Sequence, residues 1–399
     1  LPLLDVAYQL HDFPLYVLQP WLPPELTLDG KVNGEIRLAQ QAVGLQGLVR
    51  LDAGSGQLVY AAPERDYRLG WHQLLLQADL DEQQISTSLL LAGAETGQLQ
   101  LQLQLDPVSA DKTLSGSFQL QELYLHALQP MLPMLETLQG SLAGEGKISG
   151  RLLQPQIDGQ LRLRNGAVAG GQLPSSLEDL WLDVQLGQDG AGLKGGWRSG
   201  EQGQASIEGQ VSWRPQLSVD VALRASQLPV LVAPYADLLL DADVQLGYGE
   251  RGLLLGGMIS VPGGQIRVPE LPVQAVRVSA DARVAGREQS QHSLPLVLDL
   301  QIKAGQERLH FSGFGLTALV EGDMRMTDSF NGHGVLELKE GRYRAYGQRL
   351  QLRRARLVFS GPITQPSIDI EAVRVPGDVT AGLRLSGLAS QPHTEIFST

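Results

Sequence analysis

Cysteine is absent from all 399 residues. That removes disulfides, thiolate nucleophiles and cysteine-ligated zinc or iron–sulfur sites from consideration. Aromatic residues are scarce, at 5%, whereas a compact sandwich core of this size would recruit more of these large side chains. The apolar fraction is instead mostly Leu and Val. It reads as a smooth aliphatic surface, suited to a packed core and equally to holding alkyl chains. Positive charge is in deficit, 31 Lys and Arg against 43 Asp and Glu for a net charge of −12, so no nucleic-acid partner is expected. No apolar run approaches the ~18–20 residues that span a bilayer, and no signal peptide is visible. The chain starts in mid-pattern at Leu1 and stops at Thr399, and it reads as a piece excised from a longer protein.

Catalytic constellations are missing too. The seven histidines, at positions 11, 72, 126, 292, 310, 333 and 393, form no recognised metal spacing. Gly247-Tyr248-Gly249-Glu250-Arg251-Gly252 matches a nucleotide-binding glycine pattern letter for letter. That pattern needs a helix after it, and none of useful length can follow, so a hairpin turn is expected. Asp241 and Asp243 share one strand face with nothing converging on them, and read as a polar outer surface. No enzyme, metal site or cofactor is expected.

What is present is alternation. Leu99, Leu101, Leu103 and Leu105 alternate with glutamines; Val219, Val221 and Leu223 continue the pattern; so do Leu296, Leu298, Leu300 and Ile302, then Leu336 and Leu338, then Leu350 and Leu352. A period of two places each set on one face of a strand. All three asparagines precede glycine, at Asn33-Gly34, Asn165-Gly166 and Asn331-Gly332, and Asn-Gly predicts type I′ hairpin turns. The resulting fold class is all-β: a long antiparallel sheet folded lengthwise into an open trough with an apolar interior. If about 30 strands stack at ~4.8 Å, the body is on the order of 140 Å long.

A proline-broken apolar motif recurs three times: Phe13 to Pro23, Leu125 to Leu135 and Leu228 to Tyr235. Each copy predicts a short helix or irregular plug. The motif divides one continuous body into repeats at 1–124, 125–226 and 227–399. Such stacked modules cannot bury an apolar face alone. A second motif brings a proline to the start of a strand, at Pro155, Pro215, Pro366 and Pro392, where no ladder donor is needed.

One segment departs from the acidic background. Lys339, Arg342, Arg344, Arg349, Arg353, Arg354 and Arg356 are opposed only by Glu340. Past Arg353-Arg354 the apolar phase slips to Ala355, Leu357 and Phe359, which predicts a turn or bulge. The arginines are expected either to be a solvated outer face or to contact anionic headgroups or an acidic partner.

Residues 330–398 carry a resemblance. Gly334-Val335-Leu336-Glu337-Leu338-Lys339-Glu340-Gly341-Arg342-Tyr343-Arg344 leads through Leu357-Val358-Phe359-Ser360-Gly361-Pro362 and Ser367-Ile368-Asp369-Ile370 to Ala381-Gly382-Leu383-Arg384-Leu385. The segment is similar to the C-terminal domain of the TamB family, among AsmA-like proteins. The resemblance implies a periplasmic β-taco in a Gram-negative bacterium, anchored in the inner membrane by an N-terminal segment missing here. It also implies the outer-membrane barrel TamA as partner, met through a C-terminal tail likewise missing. Such proteins are thought to carry phospholipids between the two membranes, the acyl chains lying in the groove. An older proposal makes them chaperones or scaffolds for outer-membrane protein and autotransporter clients. The alternating Leu and Val positions named above are the expected groove lining. Leu300, in mid-strand of an open trough, is expected to tolerate a charge without unfolding.

Overall fold

The computed structural model describes residues 5–398 apart from 41–43, 62–65, 95, 133, 171–172, 251, 269–295, 314, 346–347 and 375–380. Alternating apolar and polar side chains with frequent glycine leave extended backbone as the one regular state that segregates them. The described residues accordingly form 24 strands and almost no helix, so the all-β reading holds.

The chain divides into two compact units. Unit 1 comprises Leu1–Arg198 and Gln210–Pro215, and unit 2 comprises Ser199–Gly209 and Gln216–Thr399. Unit 1 runs through β1 (Asp5–Pro14), β2 (Leu26–Gln40), β3 (Leu45–Asp52), β4 (Gly56–Ala61), β5 (Asp66–Trp71), β6 (Gln73–Leu80), β7 (Ile85–Gly93) and β8 (Gly97–Leu105). It continues with β9 (Leu114–Tyr124), β10 (Thr137–Arg151), β11 (Gln154–Ala169), β12 (Leu177–Leu186) and β13 (Gly190–Ser199). The strand β14 (Gly203–Ser212) is shared between the units. Unit 2 holds β15 (Ser218–Val232), β16 (Ala236–Gly249), β17 (Gly252–Val268), β18 (Leu296–Gly313) and β19 (Leu316–Thr327). It ends with β20 (Asn331–Ala345), β21 (Gln348–Pro362), β22 (Ser367–Arg374), β23 (Ala381–Leu388) and β24 (His393–Ser398).

Four sequence expectations are corrected. The Asn-Gly pairs are not hairpin turns. Asn33-Gly34 lies inside β2, paired with Asp52 and Leu51, and its side-chain oxygen accepts the Asp12 N–H at 2.9 Å. Asn165, at φ +52°, sits where the β11–β12 register shifts between Leu163 and Gly166. Asn331 opens β20. The left-handed conformation that suits a type I′ turn also suits a bulge, and at Asn165 the bulge wins. Second, the sheet is not purely antiparallel: β17 and β18 pair in parallel, from Leu253↔Leu296 to Val268↔Gly313. Third, only two plugs are helical. Leu15–Trp21 and Leu125–Met131 are short 3-10 helices, while Leu228–Val232 continues β15 and pairs with β16. In the helical copies a glutamine amide fastens the returning chain: Gln19 Nε2 donates to the Leu26 carbonyl at 2.6 Å and Gln129 Nε2 to the Glu136 carbonyl at 3.0 Å. The third copy has Val232-Ala233-Pro234 there and no such amide.

The fourth correction concerns the core. Among the described residues three small clusters are buried. One joins Leu15, Val32, Ala53 and Trp71 in unit 1. Two lie in unit 2: Leu309, Ala318, Val320, Leu338 and Ala355, and separately Val244, Leu298 and Leu300. Leu300 is 3% exposed, so it is a core residue rather than an open groove position. The phase slip after Arg353-Arg354 is a bulge, as expected: the β21–β22 register shifts between Leu352 and Arg354. Gly249 pairs with Gly252 in the expected hairpin, and Pro366 and Pro392 immediately precede β22 and β24.

Candidate functional site

Cross-strand register turns the alternating leucines into rows. In unit 1 one row runs Leu51, Leu76, Leu89, Leu101, Phe118, Gly146, Gly159 and Leu186. Its neighbour runs Leu74, Leu91, Leu99, Leu120, Gly144, Leu161, Val184 and Leu193. The expected lining residues Leu99, Leu101, Leu103 and Leu105 lie in this face, and all four are only half-buried, with Gln102 and Gln104 exposed between them. Apolar side chains aligned over successive strands present a hydrocarbon surface across the sheet.

Glycine takes apolar places in these rows, a feature that sequence reasoning missed. A Cβ on Gly146 would sit 2.5 Å from the Phe118 ring, so the ring occupies the space that the glycine of the next strand leaves open. Gly341 stands in the same relation to Leu352. The signal was present in Leu142-Ala143-Gly144-Glu145-Gly146-Lys147-Ile148, where glycine holds the apolar phase.

Unit 2 carries its own rows. One joins Leu223, Val244, Gly257, Leu300 and Met326, another Ala242, Ile259, Ile302 and Met324. Val219, Val221, Leu223, Leu296 and Ile302 are half-buried, as are Leu336, Leu350 and Leu352. Leu298, Leu300 and Leu338 are buried. The expected positions thus separate into half-covered ones that could meet a ligand and three that the protein already fills.

The opposite face is charged and internally paired. Arg164 meets Asp183 at 2.6 Å, Arg325 meets Asp299 at 2.6 Å, and Lys339 meets Glu321. Exposed pairs like these add little stability each, though opposite charges across strands favour one register. Asp243 faces Arg224, and Asp241 accepts the Gln227 N–H at 2.7 Å. Both aspartates therefore serve the fold. Among the described residues no histidine or carboxylate group is placed to hold a metal.

One carboxylate is less accessible. Glu371, 8% exposed, bonds Arg384 at 3.1 Å and Arg353 at 3.4 Å. Those bonds, Arg384 first, hold its pKa below the ordinary glutamate range against the opposing effect of burial. A depressed folded-state pKa contributes stability above the unfolded-state value and loses it as pH falls through the folded value. Urea midpoints of the parent should therefore fall between about pH 6 and about pH 3 by more than those of Glu371→Gln. Parallel midpoints for the two proteins would refute the assignment.

The basic stretch splits. Arg353, Arg354 and Arg356 are answered by Glu371, Asp369 and Glu337. Arg342, Arg344 and Arg349 are exposed and make no ion pair among the described residues.

Comparison with known proteins agrees with this architecture. Residues 5–163 match the family model for the TamB N-terminal domain, and residues 196–399 match the TamB C-terminal domain. The chain is 23% identical over 358 residues to the translocation and assembly module subunit TamB of Haemophilus influenzae, covering 84% of this chain and 27% of that protein. It thus spans about a quarter of the length of that curated relative.

Proposed function

Because the chain belongs to the TamB family, we propose that it is part of a conduit that moves phospholipids between the inner and outer membranes across the periplasm. The conduit would act with an outer-membrane barrel of the TamA type, as one component of a translocation and assembly module. The observation that carries this reading is the set of apolar rows that remain half-covered, Leu99 to Leu105 above all. Exposing two sixteen-carbon tails to water costs on the order of 25 kcal/mol at ~0.8 kcal/mol per methylene. A hydrocarbon surface continued from strand to strand lowers that barrier while the headgroup stays wet. The task needs no covalent step and no catalytic residue.

A second reading has one observation in its favour. Among the described residues β24 pairs only with β23, and Ile396 on it is 79% exposed. A strand edge can receive a client strand by strand addition, which suits a scaffold for outer-membrane protein assembly.

Photo-crosslinking in cells separates the two. Probes at Leu101 and Leu336 should yield phospholipid adducts, and probes at Gln102 on the outer face should yield few. Protein adducts at Thr394, with no lipid at Leu101 or Leu336, would replace the conduit with the scaffold.

A further inference from the structure

The three unanswered arginines do not stand alone. Arg344 and Arg349 are direct cross-strand partners, a like-charge pairing that weakens a ladder. Register adds a fourth cation, since Arg267 pairs with Ser312, Ser312 with Thr317, and Thr317 with Arg342. These six residues line one cleft of about 930 Å³ in unit 2. An adjoining cleft of about 640 Å³ shares Arg267, Ser312, Thr317 and Arg342, and adds Arg308, His310 and one carboxylate, Glu340. The chain has a net charge of −12, yet guanidinium groups outnumber carboxylates here. Among the described residues no ion pair answers Arg342, Arg344, Arg349 or Arg267, whose guanidinium donates to the neutral Gln265 amide oxygen.

The other lining of the cleft is apolar: Val268, Leu316 and Tyr343. Leu316 also packs against the buried cluster of Leu309, Ala318, Val320 and Leu338. The cations and two hydroxyls alternate with these apolar residues along the same strands and so belong to the opposite face. The cleft brings the two sets together where β17 and β18 end and β19 begins. Guanidinium forks match phosphate oxygens in shape and charge.

From this placement we infer that the cleft binds the phosphate of an amphiphilic phosphate ester, with Arg342, Arg344, Arg349 and Arg267 on the phosphate and Leu316 and Tyr343 against the first carbons of its tail. The inference deepens the conduit reading and rests on it for the tail alone. It gives that conduit a headgroup station at a defined place, on the residues that internal ion pairs leave free.

The test compares the parent chain with the triple variant Arg342→Gln, Arg344→Gln, Arg349→Gln. A second triple variant, Arg37→Gln, Arg50→Gln, Arg162→Gln, removes the same charge from unit 1. Each is titrated with a short-chain phosphatidylglycerol and with the diacylglycerol of the same tails, and folding is checked by circular dichroism. The site variant should bind phosphatidylglycerol about tenfold more weakly and diacylglycerol unchanged. The parent's preference for phosphatidylglycerol should shrink with added salt. Equal loss in the unit 1 variant overturns the site, because net charge alone would then explain it. Inorganic phosphate that displaces phosphatidylglycerol at equal concentration also overturns it, since the site would then hold free phosphate. Uptake of diacylglycerol with no preference for phosphatidylglycerol overturns the headgroup site and leaves the conduit standing. A parent that binds neither lipid overturns the conduit reading and this site with it.

Discussion

Leu300→Asp is expected to destabilise unit 2 by roughly 4 kcal/mol or more, enough to unfold a marginally stable domain. Leu300 is 3% exposed and packs with Val244 and Leu298. Its register partners are Gly257 on one side and Met326 on the other. Truncating a buried leucine alone costs about 2–5 kcal/mol, and a carboxylate placed there loses its hydration without gaining a partner. Urea unfolding followed by circular dichroism reads the effect directly. An unchanged midpoint would show that the cluster opens to water and that the position belongs to the groove after all.

Leu101→Asp should do the opposite, keeping the fold and losing the proposed lipid transport. Leu101 is half-buried between Leu89 and Phe118, so its carboxylate can stay hydrated at modest cost to stability. Acyl tails passing that point would have to strip water from the charge, a penalty of several kcal/mol. Each ~1.4 kcal/mol added to the limiting step slows flux tenfold. Lipid supply to the outer membrane should therefore drop by at least about tenfold in cells relying on the variant, with its melting curve little changed. Gln102→Asp, one residue away on the outer face, is the control and should leave supply intact. A folded Leu101→Asp protein with normal lipid supply would place the path of the tails elsewhere.

The contrast between these leucines marks how far the sequence could be read. Period-two alternation reports which side chains share a face. It does not report what covers that face, so Leu300 and Leu101 look alike in sequence and differ in burial. The slip after Arg354 was legible because a bulge changes the phase of the pattern itself. The parallel join of β17 to β18 was not, because pairing direction leaves alternation unchanged. At Asn165 the Asn-Gly pair was misread because the left-handed backbone it favours serves a bulge as readily as a turn. Arg267 escaped notice because residues 267 and 342 become neighbours only through the registers of the strands between them.

Over two long stretches of this chain, strand neighbours are neighbours in sequence. From β6 to β13, and again from β15 to β24, consecutive strands hydrogen-bond one another. Within each stretch, a strand can dock as soon as the preceding one is in place, without waiting for a distant partner to be synthesised. Folding of this kind can proceed in the order of synthesis, since loop closure stays short at nearly every step. The same locality frees such a stretch to change in length during evolution. A hairpin gained or lost alters one junction and leaves the others as they were.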